Sequence, residues 1–563
     1  MLFIIYKRMQ KSWWKEAVVY QIYPRSFKDD NDDGIGDLKG ITSKLDYLQS
    51  LGIDVIWLSP HFKSPNVDNG YDISDYQAIM EDFGSMDDFD EMLRQIHNRG
   101  MKLIIDLVVN HSSDEHIWFQ EALKGKDNPY RDYYIWKDEA KEKPNDWISF
   151  FSGSAWELEP FSAQYYLHLF VKKQPDLNWE NPKLRQEIYK MMRFWLDKGV
   201  NGFRMDVISL ISKDPSFPNF PETRFGDLSF YANGPKVHEY LQEMNSEVLS
   251  KYDCMTVGEA FGVNAELANL YVGSERKELH MIYHFDHAVP RDEICFVHPK
   301  PEFTLSQLKD IFRKWNKALE YDGWNTLYFG NHDNPRMLSR FGNTGEFRNE
   351  SAKMLATILL TLRGTPYLFQ GDEIGMSNAN FKSISEFNDV QVLNAYETLI
   401  LNGTHSEDNF LKASNKIARD HARTPMQWNN SKNAGFSNFN KTWLKVNDNY
   451  TEVNVANQEL DNHSVLNFYK KLIALRKNTP ALIYGSYIDL RPKCENIWLY
   501  ERNFEQVKLL IMNNFTSQEQ TFEIDEQYSK RELLIKNYTN TEEESKTHFS
   551  LKPYESRIYN IKQ

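Results

Sequence analysis

Four short stretches of this chain put a carboxylate or an imidazole directly after a run of apolar residues: Asn110-His111, Arg204-Met205-Asp206, Gly258-Glu259 and Asn331-His332-Asp333. A charged side chain that ends a buried strand must be solvated, paired or used, because an unpaired buried carboxylate is costly. A single such acid reads as an ion-paired strand end; several on one rim read as a site. No Cys or His metal-ligand spacing accompanies them. Converging carboxylates alone suit cleavage of a glycosidic bond, in which one attacks or assists at the anomeric carbon and one, protonated, releases the leaving oxygen. Arg204 lies two residues before Asp206, on the same side of a strand, where it holds Asp206 ionised as a nucleophile. Glu259 follows the apolar run Met255-Thr256-Val257 beside other acids, surroundings that raise a carboxyl pKa and suit a general acid.

The elements that must position these groups are legible as eight short β-rich runs ending in polar residues, at 16–24, 53–60, 102–111, 202–208, 254–260, 280–286, 325–333 and 365–373. Helical-period stretches lie between most of them, with Ser85 and Asp88 as an acidic start, Gly100 as a stop and Thr304 with Gln307 as a capping box. Alternating strands and helices imply a parallel sheet, and eight units imply an α/β chain closed as a (β/α)8 TIM barrel, whose reactive groups sit at strand C-termini. Residues 111 to 202 leave about 90 positions where a barrel unit takes roughly 30. A lobe is therefore inserted after the third strand. Past 373 come a polar excursion and a helix at 463–477, and then the runs 496–502, 507–513, 521–524 and 556–561 alternate apolar and polar residues, as antiparallel strands with one wet face do. The expected domains are a barrel over 1–111 and 175–484, a lobe over 112–174 and a C-terminal antiparallel β domain over 485–563.

Composition narrows the partner. The 563 residues include 66 Lys and Arg against 80 Asp and Glu, a net charge of −14, which repels phosphate backbones and argues against nucleic acid. Aromatic residues reach 14%, and their flat faces suit sugar rings, so the expected partner is a small oligosaccharide. Cys254, Cys295 and Cys494 are far apart and read as reduced. The apolar run from Leu2 to Tyr6 is too short to span a bilayer and lacks a cleavage pattern, so no membrane association is expected and the location reads as cytoplasmic.

Gly202-Phe203-Arg204-Met205-Asp206, Val257-Gly258-Glu259, Asn331-His332-Asp333 and Asp106-Leu107-Val108-Val109-Asn110-His111 resemble, in order and context, the signature regions of the α-amylase family of glycoside hydrolases. Gln174-Pro175-Asp176-Leu177-Asn178, Gly371-Asp372-Glu373-Ile374-Gly375-Met376 and Ala422-Arg423-Thr424-Pro425-Met426-Gln427-Trp428 look like its oligo-1,6-glucosidase branch, and the resemblance covers the chain after Trp13. It implies Asp206 as nucleophile, Glu259 as acid/base and Asp333 as transition-state stabiliser of a retaining enzyme, with the first two about 5–5.5 Å apart. It further implies that His111 and His332 contact the non-reducing glucose and that Asp72 pairs with Arg419 to cap the far end, giving an exo-acting enzyme. Val207 follows the pattern of relatives that cut α-1,6 bonds, and Phe151 and Phe170 are expected against the leaving sugar.

Other features point elsewhere within the branch. Asn334-Pro335-Arg336 and Thr361-Leu362-Arg363-Gly364-Thr365-Pro366 look more like sucrose isomerases, which transfer the glucosyl unit, although the isomerases' Arg-Leu-Asp-Arg loop is absent and the corresponding stretch reads Phe285-Asp286-His287-Ala288-Val289-Pro290-Arg291-Asp292. Trehalose-6-phosphate hydrolases share Val207. A non-catalytic reading, as a transporter accessory subunit, fails on the retained acids and on the want of a spanning segment. Finally, Asp29, Asn31, Asp33, the Ile35 carbonyl and Asp37 offer hard oxygens at alternate positions with Gly34 and Gly36 relieving the turn. They resemble the structural calcium loop of this branch, so Ca2+ is the one expected cofactor.

Overall fold

A computed structural model of the chain describes residues 11–138, 142–224, 226–290, 292–403, 405–539 and 545–562; the run from Leu2 to Tyr6 and Arg291 lie outside them. Eight strands form one parallel sheet: β1 (Val19–Ile22), β2 (Val55–Leu58), β3 (Lys102–Val108), β4 (Gly202–Asp206), β5 (Met255–Glu259), β6 (Met281–Tyr283), β7 (Thr326–Leu327) and β8 (Thr365–Phe369). Their order is β6-β5-β4-β3-β2-β1-β8-β7. The ring closes between β6 and β7 through side chains, with the Thr326 hydroxyl donating to the Ile282 carbonyl at 2.8 Å. Every residue of β1, β2, β4, β5 and β8 is buried, because helices cover one face and barrel filling the other. Trp57, Val257, Met281, Tyr283 and Tyr367 make up much of that filling.

The covering helices form where the sequence marks them. α1 (Met86–Asn98) opens with a reciprocal Ser85–Asp88 capping box, and α2 (Leu305–Ala318) with the same device from Thr304 and Gln307. α3 (Val465–Lys477) begins on Ser464.

Gly202 sets the register that matters most. Its φ is +141°, and a Cβ there would stand 1.9 Å from the Met255 carbonyl oxygen. Only glycine lets β4 lie this close to β5, which pairs Arg204 with Val257 on one side and with Asp106 on the other.

Beyond β3 a three-stranded antiparallel sheet forms from Trp136–Asp138, Gln164–Leu167 and Trp156–Glu159. The C-terminal sheet joins β9 (Ser486–Asp489), β10 (Ile497–Phe504), β11 (Val507–Asn514), β12 (Arg531–Lys536) and β13 (Ser556–Ile561) in the antiparallel order β9-β10-β11-β13-β12. The polar excursion after β8 is no loose loop. It carries short helices at Val390–Tyr396 and Glu407–Ile417 and packs Val392, Phe410 and Ile417 with Val289 and Phe296 in a core of its own. Among the described residues no helix is long and apolar enough to cross a membrane.

Candidate active site

The C-terminal ends of β4 and β5 meet around one buried cation. Arg204 donates from Nη1 to Asp106 and to Asp206, each at 2.6 Å, and from Nη2 to Glu259 at 2.7 Å. Asp106 also accepts the Trp57 indole N–H at 2.7 Å. One guanidinium thus serves three carboxylates, and its planar fork bridges the two that face the cavity. Burial, with Glu259 and Asp106 opposite, pushes the Asp206 carboxyl well above the usual aspartate range against the pull of Arg204. The expectation that Arg204 simply keeps Asp206 ionised meets an opposing effect: Arg204 is divided among three acids, and burial favours the protonated form of Asp206 against its pull.

Val207, the residue after Asp206, turns the chain with φ +35° and ψ +40°, a conformation that a β-branched residue adopts only when its surroundings impose it. The turn aims its backbone N–H at Glu259 Oε2, 3.0 Å away.

Asp333, beyond β7, sits in the opposite electrostatic setting. Arg423 Nη2 lies at 3.0 Å, Arg419 Nη1 at 3.4 Å and His332 Nε2 at 3.0 Å. Burial would raise its pKa, but His332 and the two arginines outweigh burial and hold it well below the carboxylate range. His332 itself is fixed by Tyr71 Oη at 2.6 Å and Gln21 Nε2 at 2.7 Å.

The far end of the cavity is closed by ion pairs. Arg419 reaches Asp389 at 2.5 Å and Asp68 at 3.5 Å. Asp68 also accepts Gln174 Nε2 at 3.3 Å, and the same amide nitrogen lies 3.2 Å from His111 Nε2. Asp72 is not the partner of Arg419. It is fully buried, and its carboxylate accepts the backbone N–H groups of Val67 and Asp68. It shapes the turn that presents Asp68, four residues earlier, and the turn hands the contact to the acid at its tip. Burial raises Asp68 to about 6 despite Arg419, and lowers His111 to about 4, so that imidazole is neutral at pH 7.

The cavity is about 360 Å3 and is lined by Asp68, Tyr71, His111, Asp206, Val207, Glu259, Asp333 and Arg419, with Phe150, Phe151, Phe170, Phe261 and Phe285 as aromatic walls. Phe150 and Phe170 stack at 5.0 Å, and the Arg419 guanidinium lies 5.0 Å from the Phe151 ring centre. His332 stands behind Tyr71 rather than on the surface of the cavity. Sequence reasoning missed Asp68, Asp389 and Arg423 as partners. Arg423 alone carried a signal, lying inside one of the quoted motifs.

The 29–37 turn gathers its oxygens by its own hydrogen bonds. Asp29 accepts the N–H groups of Asp32 and Gly34, and Asp37 those of Asp30, Asn31 and Gly40. Asp29 and Asp37 are buried, and among the described residues no cation pairs with either carboxylate. Buried carboxylates that accept backbone N–H groups but have no ion partner, in an oxygen-rich turn, fit a hard divalent ion. Among the described residues no three acidic, His or Cys side chains converge on a point, so the Asn31 amide and the Ile35 carbonyl would have to complete the coordination.

Comparison with known proteins adds three findings. A family model described as alpha amylase, catalytic domain, matches residues 21–485, and one described as alpha-amylase SusG C-terminal domain matches residues 497–558. An oligo-1,6-glucosidase of Bacillus cereus is 53% identical, covering 98% of this chain and 100% of the relative, and a trehalose-6-phosphate hydrolase of Bacillus subtilis is 45% identical, covering 99% of each. Among solved structures, an isomaltulose synthase from Klebsiella sp. LX3 superposes with a TM-score of 0.95 at 45% identity, covering 98% of this chain and 100% of that one.

Proposed function

Because the chain belongs to the α-amylase family of glycoside hydrolases, we propose that it is a retaining, exo-acting α-glucosidase that removes glucose from the non-reducing end of α-1,6-linked, isomaltose-type oligosaccharides. The observation that carries this reading is the Arg204 fork, which bridges Asp206 and Glu259 on the floor of a cavity whose far end Asp68 and Arg419 close. A pocket with an end admits one terminal sugar. A bridge of this length suits a carboxylate spacing that leaves no room for a water between acid and sugar, as retention requires.

In the proposed reaction the ionised Asp206 attacks the anomeric carbon as Glu259 gives its proton to the glycosidic oxygen. The C1–O bond breaks, the leaving sugar departs neutral, and a β-glucosyl ester of Asp206 remains. Glu259, now ionised, takes a proton from water, whose oxygen attacks C1 and returns the electron pair to Asp206, releasing α-glucose. Asp333, kept ionised by its cations, accepts the sugar hydroxyls beside C1 most strongly as the ring flattens. Val207 crowds the leaving side, whereas Phe151, beside Arg419, and Phe170, beside His111, flank the terminal glucose rather than the leaving sugar.

Two further features belong to the same proposal. The 29–37 turn holds a structural Ca2+ through Asp29, Asn31, Asp33, the Ile35 carbonyl and Asp37, which neutralises the buried acids away from the chemistry. The three free cysteines suit a reducing compartment, the cytoplasm.

The test is a substrate panel of isomaltose, panose, isomaltulose, maltose, sucrose and trehalose 6-phosphate with all products identified. Rapid glucose release from isomaltose with slow maltose cleavage supports the reading. Isomaltulose or trehalulose formed from sucrose overturns it in favour of glucosyl transfer, the reaction named for the isomaltulose synthase.

A further inference from the structure

Resting on the reading above, the arrangement of charge around the cavity specifies what the leaving sugar may carry. Among the described lining residues there are five carboxylates, Asp68, Asp206, Glu259, Asp292 and Asp333, and one guanidinium, Arg419. That guanidinium is already shared by Asp389, Asp68 and Asp333, and His111 is neutral at pH 7. Four of the acids belong to the floor and the closed end. Asp292 alone comes from the chain that leaves β6, and its neighbours show which sugar that wall meets.

Glu259 pairs in register with Tyr283 at the end of β6, and the chain leaving β6 runs through Phe285 and Ala288 to Pro290 and Asp292, all lining the cavity. Phe285 lies edge-on to Phe261, two residues beyond Glu259, at 5.7 Å. Asn334 fixes this wall to the Asp333 loop by accepting the Val289 N–H at 3.0 Å. A proton leaving Glu259 goes to the departing oxygen, so the wall beyond Glu259 faces the leaving sugar.

The Asp292 side chain is 58% exposed, and its ion partner, Lys300 Nζ, stands 3.7 Å away and is equally exposed. Such a pair is weakly held, so Lys300 offsets the Asp292 charge only in part. The Cys295 thiol donates to the other carboxylate oxygen, so the group keeps its place on the wall.

We infer that Asp292 is a specificity residue that selects uncharged leaving sugars and repels those bearing a phosphate. A phosphate at pH 7 carries between one and two negative charges, and the described lining residues offer it five acids against one guanidinium that is already shared.

Trehalose and trehalose 6-phosphate make a matched pair, since they share a linkage and differ only in a phosphate on the leaving glucose. The measurement is the ratio of their inhibition constants against any α-glucoside that the enzyme turns over, or of their dissociation constants by calorimetry if none is. Because the ratio is formed within each protein, a general loss of affinity or activity cancels. The wild type should bind the phosphorylated sugar at least tenfold more weakly. Asp292→Asn should shrink that ratio by roughly three- to tenfold, the scale of one charge acting across a hydrated cavity, and Asp292→Glu should restore it. High salt should shrink the wild-type ratio as well. Equal binding of the two sugars by the wild type, or a ratio unmoved in Asp292→Asn, overturns the inference. Failure to cleave isomaltose, measured separately, overturns the parent reading instead and leaves this ratio intact.

Discussion

Arg204 holds Asp206 at 2.6 Å and Glu259 at 2.7 Å through the two terminal nitrogens of one guanidinium. The two carboxylates that the chemistry needs in opposite protonation states thus share one cation, with Asp106 as a third claimant. A point charge cannot reproduce that fork. Arg204→Lys should lower kcat/KM on an α-glucoside by at least about a hundredfold, the order seen when a positioned electrostatic group is removed, while far-ultraviolet circular dichroism remains that of the wild type. A loss below about fivefold would mean that the bridge is incidental.

Asp206→Asn removes the proposed nucleophile without changing shape. Its kcat should fall by at least about a thousandfold. In the wild type, proton NMR during the first turnovers should show α-glucose as the initial product, because two displacements at C1 restore the configuration. Initial β-glucose would exclude the covalent route.

Asp68 supplies a pH dependence with a definite sign. Its carboxyl is raised by burial from 3.8 to about 6, so it loses its charge as pH falls through about 6. The pairing with Arg419 weakens there, and KM for the terminal glucose should rise on that acidic side. In Asp68→Asn, KM should be high and flat across the same window. The stability effect runs the other way. A carboxyl whose folded pKa lies above its unfolded one favours the fold below about pH 4, and that contribution disappears as pH rises through 6. Asp68→Asn should therefore leave Tm unchanged or raise it at pH 7. A clear fall in Tm at pH 7 would contradict the buried, poorly compensated state of this acid.

The 29–37 turn can be tested without any substrate. If Ca2+ occupies it, a chelator should lower Tm by about 2–3 °C and added Ca2+ should restore it, the shift expected for a chain of this size when a ligand present at about a hundred times its Kd is withdrawn. Asp33→Asn should weaken both responses. A Tm indifferent to chelator and to Ca2+ removes the ion from the description.

The local sequence carried the barrel and the acids at its rim. Eight apolar runs, each ending in polar residues and separated by capped helical stretches, specify strand and helix one by one, and strands buried on both faces leave little choice but a closed parallel sheet. The position of Asp206, Glu259 and Asp333 just past such runs follows from that local pattern, as do the Ser85 and Thr304 caps. What the excursion after β8 becomes was less legible, because its hydrophobic partners, Val289 and Phe296, lie about a hundred residues earlier in the chain.

Tertiary structure decided the pairing and the charge states. Asp68 and Asp72 are both acids in one turn, and nothing in their types says which meets Arg419; the turn geometry gives that contact to Asp68 and spends Asp72 on backbone N–H groups. The same holds for Asp206, whose neighbour Arg204 was readable from spacing, whereas the competing claims of Asp106 and Glu259 on that arginine exist only once β3, β4 and β5 lie side by side. Strand character is a property of a few consecutive residues, but the proton affinity of a buried carboxyl is a sum over every charge and every lost water around it, and that sum is defined only in three dimensions.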